Sequence, residues 1–221
     1  MFQSIPELLG FLIYFVIIFG IILPIHEFAH AYAAYKLGDP TAKYAGRMTL
    51  NPLVHLDLWG ALIFLVTRGI GWGKPVPVNT YNLKHRRGES IVSLAGPLSN
   101  FALALVLAVV IAFFPDSYYI KTVGSVGQLT FYELMRITIS ISVTLGIFNL
   151  IPIPPLDGSK ILFDFLPPAH ENLKRNLESY GPIILLIFFL TQLNGGVFFS
   201  FVSSITLLFF NLADFLHGMI Y

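Results

Sequence analysis

Three ionisable side chains, His26, Glu27 and His30, stand within five positions of an otherwise apolar stretch, IHEFAHA. In a helix, residues four apart lie on one face a turn apart, so the two imidazoles can bind one metal ion. Glu27 projects about 100° away, close enough to reach water held by that ion without being a ligand. The spacing H-E-x-x-H is typical of zinc-dependent hydrolysis with the glutamate as general base. It therefore predicts a zinc site with His26 and His30 as ligands.

An alternative is that these residues are polar side chains that face the interior of a helix bundle and bond to backbone carbonyls. Charged groups at the centre of a bilayer each cost on the order of 2 to 3 kcal/mol on insertion scales. Three such groups so close together are costly to keep without a function. We therefore prefer the metal site.

A catalytic zinc ion usually takes three protein ligands and keeps one position open. The chain contains no cysteine, so the third ligand must be an imidazole or an oxygen. Asp157 is one candidate, because the prolines of FNLIPIPPLDG break the helix and can aim its carboxylate into a cavity. His55 and Asp57, in NPLVHLDLWG, could instead supply the ligand, cap a short helix or orient the other ligands. The local sequence leaves these possibilities open.

The composition indicates an integral membrane protein. Of 221 residues, 56% are hydrophobic and 11% are charged, and the mean hydropathy is +0.76. The formal charge of +1 gives no indication of a nucleic-acid partner. No basic residue precedes the first apolar run, and no small-residue cleavage pattern follows it, so a removable signal peptide is not expected. We expect a single membrane domain over residues 1–221, with a core at about 7–160 and peripheral helices at about 180–217.

The apolar segments predict an all-α polytopic membrane protein with about five to six transmembrane helices. The spans are expected near residues 7–36, 90–114, 131–150, 180–193 and 196–217. A polar surface helix is expected at 169–180, and Gly181-Pro182 is expected to begin the fourth span. Pro24 is expected to kink the first helix. The apolar piece at 57–70 is too short to span, and RGIGWGKPVPVNTYN follows it. We therefore expect a re-entrant, partly extended segment between the first and second long helices.

Basic residues set the expected orientation. Eight of them, from Lys36 at the end of the first long helix to Arg87, precede the second long helix, which places that connection in the cytoplasm and the N-terminus outside. Residues 115–130 then form an external loop and residues 151–180 an internal one. This topology brings Asp157 to the same side as His26 and His30, and it places the metal about 15 Å inside the cytoplasmic boundary.

Four motifs occur in order over about residues 20–180: HEFAH, NPLVHLDLWG, SLAGPLSN and FNLIPIPPLDG. Together they resemble the site-2 protease family of intramembrane zinc metalloproteases, in its compact prokaryotic form without a PDZ domain. The resemblance implies one Zn²⁺ per chain, Glu27 as general base, and Asp157 as third ligand beside the two histidines. It also implies that Asn149 contacts the substrate or the developing oxyanion. His55 and Asn100 belong to further motifs of the family, and the resemblance implies that they support the site without binding the metal.

The expected function is therefore hydrolysis of peptide bonds within or next to transmembrane segments of membrane protein substrates. The expected setting is the prokaryotic plasma membrane, with the lipid bilayer and transmembrane substrates as partners and the active site toward the cytoplasm. One alternative is a membrane metal transporter that uses the same His/Asp cluster. Transport requires access from both faces, and the ionisable groups cluster toward one face. Another alternative is an inactive relative that only retains membrane proteins. The sequence names neither the substrate nor the oligomeric state.

Overall fold

The computed structural model of the protein describes residues 5–69, 71–114, 131–192 and 196–221. Within these ranges the chain is helical and has no strand, which confirms the predicted all-α fold. The predicted external loop at 115–130 lies outside the described residues. The helices are α1 Ile5–Val16, which continues through a π-helical turn Ile17–Ile22 into α2 Leu23–Lys36, then α3 Thr41–Tyr44, α4 Pro52–His55, α5 Leu58–Thr67, α6 Gly88–Ala112, α7 Phe131–Asn149, α8 Asp157–Phe165, α9 Glu171–Gln192 and α10 Val197–Ile220.

Among the described residues, four helical stretches are long and apolar enough to cross a membrane. They are Glu7–Lys36, Gly88–Ala112, Phe131–Asn149 and Val197–Ile220. The protein is therefore an integral membrane protein, although the predicted count of five to six spans is not confirmed. The expected surface helix at 169–180 and the expected span at 180–193 form one continuous helix, α9, which is not among these four stretches and has Pro182 inside it. Pro182 removes one backbone donor without ending the helix.

The first long helix changes its hydrogen bonding just before the histidine pair. Pro24 has no N–H, and the preceding residues Ile17–Ile22 form a π-helix. The N–H of Leu23 donates to the carbonyl oxygen of Ile18, five residues back. Proline interrupts the usual i to i−4 ladder, and π-helical turns are one way to absorb this interruption. The helix therefore has a widened turn shortly before His26, while a kink at Pro24 stays a prediction.

Helix α6 is the centre of the bundle and packs against α2, α7, α8 and α10. Small residues on α6 let the neighbouring helices approach closely. The buried cluster that joins α6, α7 and α10 consists of Ala104, Ala108, Ile111, Tyr132, Met135, Ile139, Val143 and Ala213. This packing fixes α6 beside the histidine-bearing face of α2.

The short helix α5 runs back along the first long helix. Phe64 contacts Phe11, Phe15 and Phe19, with ring centroids 5.6, 5.9 and 5.4 Å away. At the end of α5, Arg68 forms an ion pair with Glu7 at 3.1 Å.

The chain then returns as residues 71–79, here called the return segment, which contains neither helix nor strand. It passes so close to α5 that a Cβ on Gly60 would overlap the carbonyl oxygen of Trp72. The N–H of Lys74 donates to the carbonyl oxygen of His55 at 2.8 Å, so the excursion ends beside the place where it began. This is the predicted re-entrant element.

Candidate metal centre

Three donor atoms from distant parts of the chain converge in the interior. The Nε2 atoms of His26 and His30 are 3.0 Å apart, and each lies 3.1 Å from Oδ2 of Asp157. The two histidines lie on one face of α2, as their spacing predicts, and Asp157 is the first residue of α8. All three side chains are buried.

This arrangement fits a zinc ion. Two ligand atoms of one tetrahedral zinc, with bonds of about 2.0 to 2.1 Å, lie about 3.3 Å apart, close to the separations found here. Two imidazole nitrogens and one carboxylate oxygen are also a donor set that catalytic zinc uses, with a further position open for water. The residues present therefore fit the predicted metal.

Helix α6 contacts both histidine ligands. Nδ1 of His30 lies 2.7 Å from the carbonyl oxygen of Val92, so its N–H donates there and the lone pair of Nε2 faces the metal group. A Cβ on Gly96 would lie 2.6 Å from Nε2 of His26 and would also overlap Nε2 of His30. Only glycine at this position lets α6 pass so close. The sequence showed Gly96 as part of a motif but gave no sign of this contact.

The carboxylate of Glu27 belongs to the same site but not to the ligand group. It is buried, and its Oε2 accepts a hydrogen bond of 2.9 Å from the backbone N–H of Val76 in the return segment. The ligands are thus held by helices, whereas the predicted base is held by irregular backbone. Side-chain patterns cannot reveal a backbone donor of this kind, so Val76 was not among the predicted site residues.

Two asparagines line the same cavity as the metal group. Nδ2 of Asn149 donates to the carbonyl oxygen of Leu145 at 3.0 Å, which leaves its second N–H available. Asn100 is 1% exposed, and within the described ranges neither polar atom of its side chain has a hydrogen-bond partner. A buried amide without partners in a cavity is suited to bind water or a ligand.

His55 and Asp57 lie outside the metal group. Nε2 of His55 is 2.8 Å from the carbonyl oxygen of Thr49, and the carbonyl of His55 accepts from Lys74. Oδ1 of Asp57 accepts from the N–H of Gly60 and caps α5. Of the three candidates for the third ligand, Asp157 is the one that the structure brings to the histidine pair.

The cavity has a volume of about 400 Å³ and combines a polar floor with apolar walls. The floor contains His26, Glu27, His30 and Asp157. The walls come from the return segment on one side and from the end of α7 on the other, through Trp72, Pro75, Val76, Val78, Leu145 and Phe148.

Residues 14–192 match the family model described as peptidase family M50. The chain belongs to this family. It is 39% identical over 193 residues to YwhC of Bacillus subtilis, with 86% of each chain covered. It is 32% identical over 185 residues to Rip2 of Mycobacterium tuberculosis, which covers 81% of this chain and 68% of Rip2. Both relatives are named as candidate zinc metalloproteases.

A further relative, zinc metalloprotease MJ0392 of Methanocaldococcus jannaschii, is 26% identical over 175 residues, which are 77% of this chain and 41% of that protein. No solved structure matches. The M50 family is the site-2 protease family that the four motifs predicted, so this prediction is confirmed. The relatives' names and the donor set support the predicted zinc cofactor. They give no support to the transporter alternative.

Proposed function

We propose that this M50 protein is a zinc-dependent intramembrane endopeptidase that hydrolyses peptide bonds within or next to transmembrane segments of other membrane proteins. The observation that carries the proposal is that His26 and His30, on a helix long and apolar enough to span the bilayer, meet Asp157 of α8 beside Glu27. A buried group of metal ligands with an adjacent carboxylate is the arrangement that metal-dependent hydrolysis of a peptide bond uses.

In this proposal His26, His30 and Asp157 hold the ion. When bound, zinc supplies a Lewis acid that polarises the scissile carbonyl and makes water a better nucleophile at neutral pH. Glu27 accepts a proton from the attacking water and delivers it to the nitrogen of the leaving amine. The hydrogen bond from the Val76 N–H fixes one oxygen of the Glu27 carboxylate, and we assign the proton transfer to the other oxygen.

The two asparagines and His55 have supporting roles. The second N–H of Asn149 stabilises the developing oxyanion of the substrate, because preorganised donors are most effective in a site that excludes water. Asn100 binds substrate or water in the cavity, since its buried amide has no partner in the described part of the chain. His55 supports the return segment without touching the metal group, because its backbone carbonyl oxygen accepts a hydrogen bond from the N–H of Lys74.

A substrate helix hides its peptide bonds in its own hydrogen bonds, so it must unwind before cleavage. The extended backbone expected near Lys74 to Tyr81 ends at Asn79, because Thr80–Asn82 is a 3-10 helix. We propose that the unwound stretch pairs as an added strand with the return segment, whose Pro75, Val76 and Val78 line the cavity. The basic residues before the second long helix favour a site toward the cytoplasm of a prokaryotic cell and an N-terminus outside. Water then enters from the cytoplasmic side.

The test uses purified full-length protein in detergent and the variant Glu27→Gln. The probe is a single-spanning fluorogenic peptide with a central helix-breaking stretch, selected from a library of such peptides for cleavage by the wild-type protein. We expect zinc content to stay the same and kcat to fall by at least about 100-fold, the range that general base catalysis supplies. Unchanged cleavage by Glu27→Gln with zinc bound would refute the mechanism.

A further inference from the structure

A third buried carboxylate, Asp39, lies outside the metal group, three residues after α2 ends at Lys36. Its Oδ1 accepts hydrogen bonds from the N–H and the hydroxyl of Thr41, at 3.1 and 2.5 Å, and from Nδ2 of Asn82 at 2.9 Å. Its Oδ2 accepts from the backbone N–H of Asn79 at 2.7 Å. Four donors therefore converge on one buried carboxylate, and all of them come from neutral residues.

Two of these donors lie at the far end of the return segment or just after it. Asn79 is its last residue, and Asn82 lies just beyond it. The neighbouring backbone is joined as well, because the N–H of Lys84 donates to the carbonyl oxygen of Leu37 at 2.9 Å. Gly38 has a φ of +107°, and a Cβ there would lie 3.0 Å from the carbonyl oxygen of Asn82. The loop after α2 and the chain after the return segment are thus in direct contact.

The near end of the return segment is fixed separately. The N–H of Lys74 donates to His55, and the carbonyl of Lys74 accepts from the buried Arg47 at 2.5 Å. Between the two ends, the N–H of Val76 donates to Glu27. The carboxylate of Glu27 is therefore held by a short stretch of backbone that is fixed two residues before the contact and three residues after it.

We propose that Asp39 is a positioning residue for Glu27: by binding Asn79 and Asn82, it holds the return segment where the Val76 N–H meets the Glu27 carboxylate. The inference rests on the proposed function in that it takes Glu27 as the base. Asp39 is absent from the residues that line the cavity, so it acts through the return segment and not by touching the substrate or the metal.

The charge of Asp39 matters to this role. Burial alone would raise the pKa of Asp39, but its hydrogen bonds from Thr41, Asn82 and Asn79 outweigh burial and hold the pKa below its ordinary value. The carboxylate is then ionised at neutral pH and accepts from every donor around it. In Asp39→Asn the amide NH₂ group cannot accept. If the amide oxygen keeps facing Thr41 and Asn82, the NH₂ group faces the Asn79 N–H, and two donors then meet. The substitution therefore breaks the hydrogen bond to Asn79 without changing the volume of the side chain.

The experiment compares zinc-loaded full-length wild type with Asp39→Asn. Asp214→Asn is the matched control, an exposed acid on α10. We expect hydrogen exchange at the amides of Val76 and Asn79 to accelerate about ten-fold or more in Asp39→Asn, with zinc content unchanged. With the fluorogenic peptide, kcat should fall about ten-fold while KM changes less than about three-fold, because a misplaced base slows the chemical step.

Asn82→Ala provides a second variant at an exposed position and removes one of the two links between Asp39 and the far chain. It should change exchange at Asn79 and kcat in the same direction by a smaller factor. Wild-type exchange at Val76 and Asn79 in zinc-loaded Asp39→Asn would overturn the proposal, as would an effect confined to KM. Should Asp39→Asn fail to fold, wild-type exchange at Asn79 in Asn82→Ala would overturn it instead.

These outcomes are distinct from failure of the proposed function. Amide exchange in the zinc-loaded protein does not depend on turnover, whereas the proposed function fails when Glu27→Gln cleaves normally. Fast exchange in Asp39→Asn together with normal cleavage by Glu27→Gln would therefore refute the mechanism. It would still support the role of Asp39 in holding the return segment.

Discussion

The two sides of the site are built in different ways. On one side the metal ligands are carried by α2 and α8 and are backed by α6, whose Gly96 and Val92 touch the histidines. On the other side the carboxylate of Glu27 is held by the Val76 N–H in the return segment, where hydrogen bonds replace helix packing. Packed helices change little when one contact is lost, whereas an irregular segment depends on each of its few bonds. Changes on the helical side should therefore affect zinc, and changes on the other side should affect turnover.

The largest effect is expected for Gly96→Ala. The added methyl group would occupy the space of the imidazole nitrogens of His26 and His30, so either α6 or the ligands must move. Zinc content should fall at least about ten-fold, and cleavage should be lost with it. Gly10→Ala is the control, because a Cβ there meets no atom within 4 Å. Full zinc content in Gly96→Ala would show that α6 does not set the ligand geometry.

A smaller effect is expected for Arg47→Met, which removes the donor to the Lys74 carbonyl but keeps a long side chain. The near end of the return segment should loosen, so kcat falls by about three- to ten-fold while zinc content is unchanged, since a buried hydrogen bond contributes about 1 to 3 kcal/mol. Zinc analysis and steady-state kinetics check this. Loss of zinc in Arg47→Met would remove the distinction between the two sides.

The smallest effect concerns pH. Because the pKa of Asp39 is lowered in the folded protein, its contribution to stability is present above the unfolded pKa of about 3.9 and is lost as pH falls through the folded value. The difference in thermal unfolding temperature between wild type and Asp39→Asn should be constant from pH 7 to 5 and shrink below about pH 4. A difference that grows on acidification would contradict the lowered pKa.

The helical side of the site was the more predictable from sequence. The spacing of His26 and His30 fixes their common face, and the distribution of basic residues was enough to bring Asp157 to the same side. The re-entrant segment also followed from length and charge. These features depend on local periodicity or on crossing a bilayer, and both are visible in a single chain.

What could not be predicted depends on contacts between distant segments. Nothing local in the sequence shows that Gly96 passes against two imidazoles, because that contact arises from the packing of α6 on α2. Val76 acts through its backbone N–H, which every residue except proline possesses. Asp39 occurs in LGDPT, a typical turn sequence, and its partners Asn79 and Asn82 are 40 and 43 residues away. Pro182 suggested a helix boundary, yet α9 continues through it.

The central claim is that His26, His30 and Asp157 together hold one zinc ion. Metal analysis of purified Asp157→Ala beside Asp57→Ala tests it most directly, because each variant removes one carboxylate and Asp57 only caps α5. We predict about one zinc per chain in wild type and Asp57→Ala, and at least a ten-fold loss in Asp157→Ala. Loss of zinc in Asp57→Ala with full retention in Asp157→Ala would contradict the proposed ligand set.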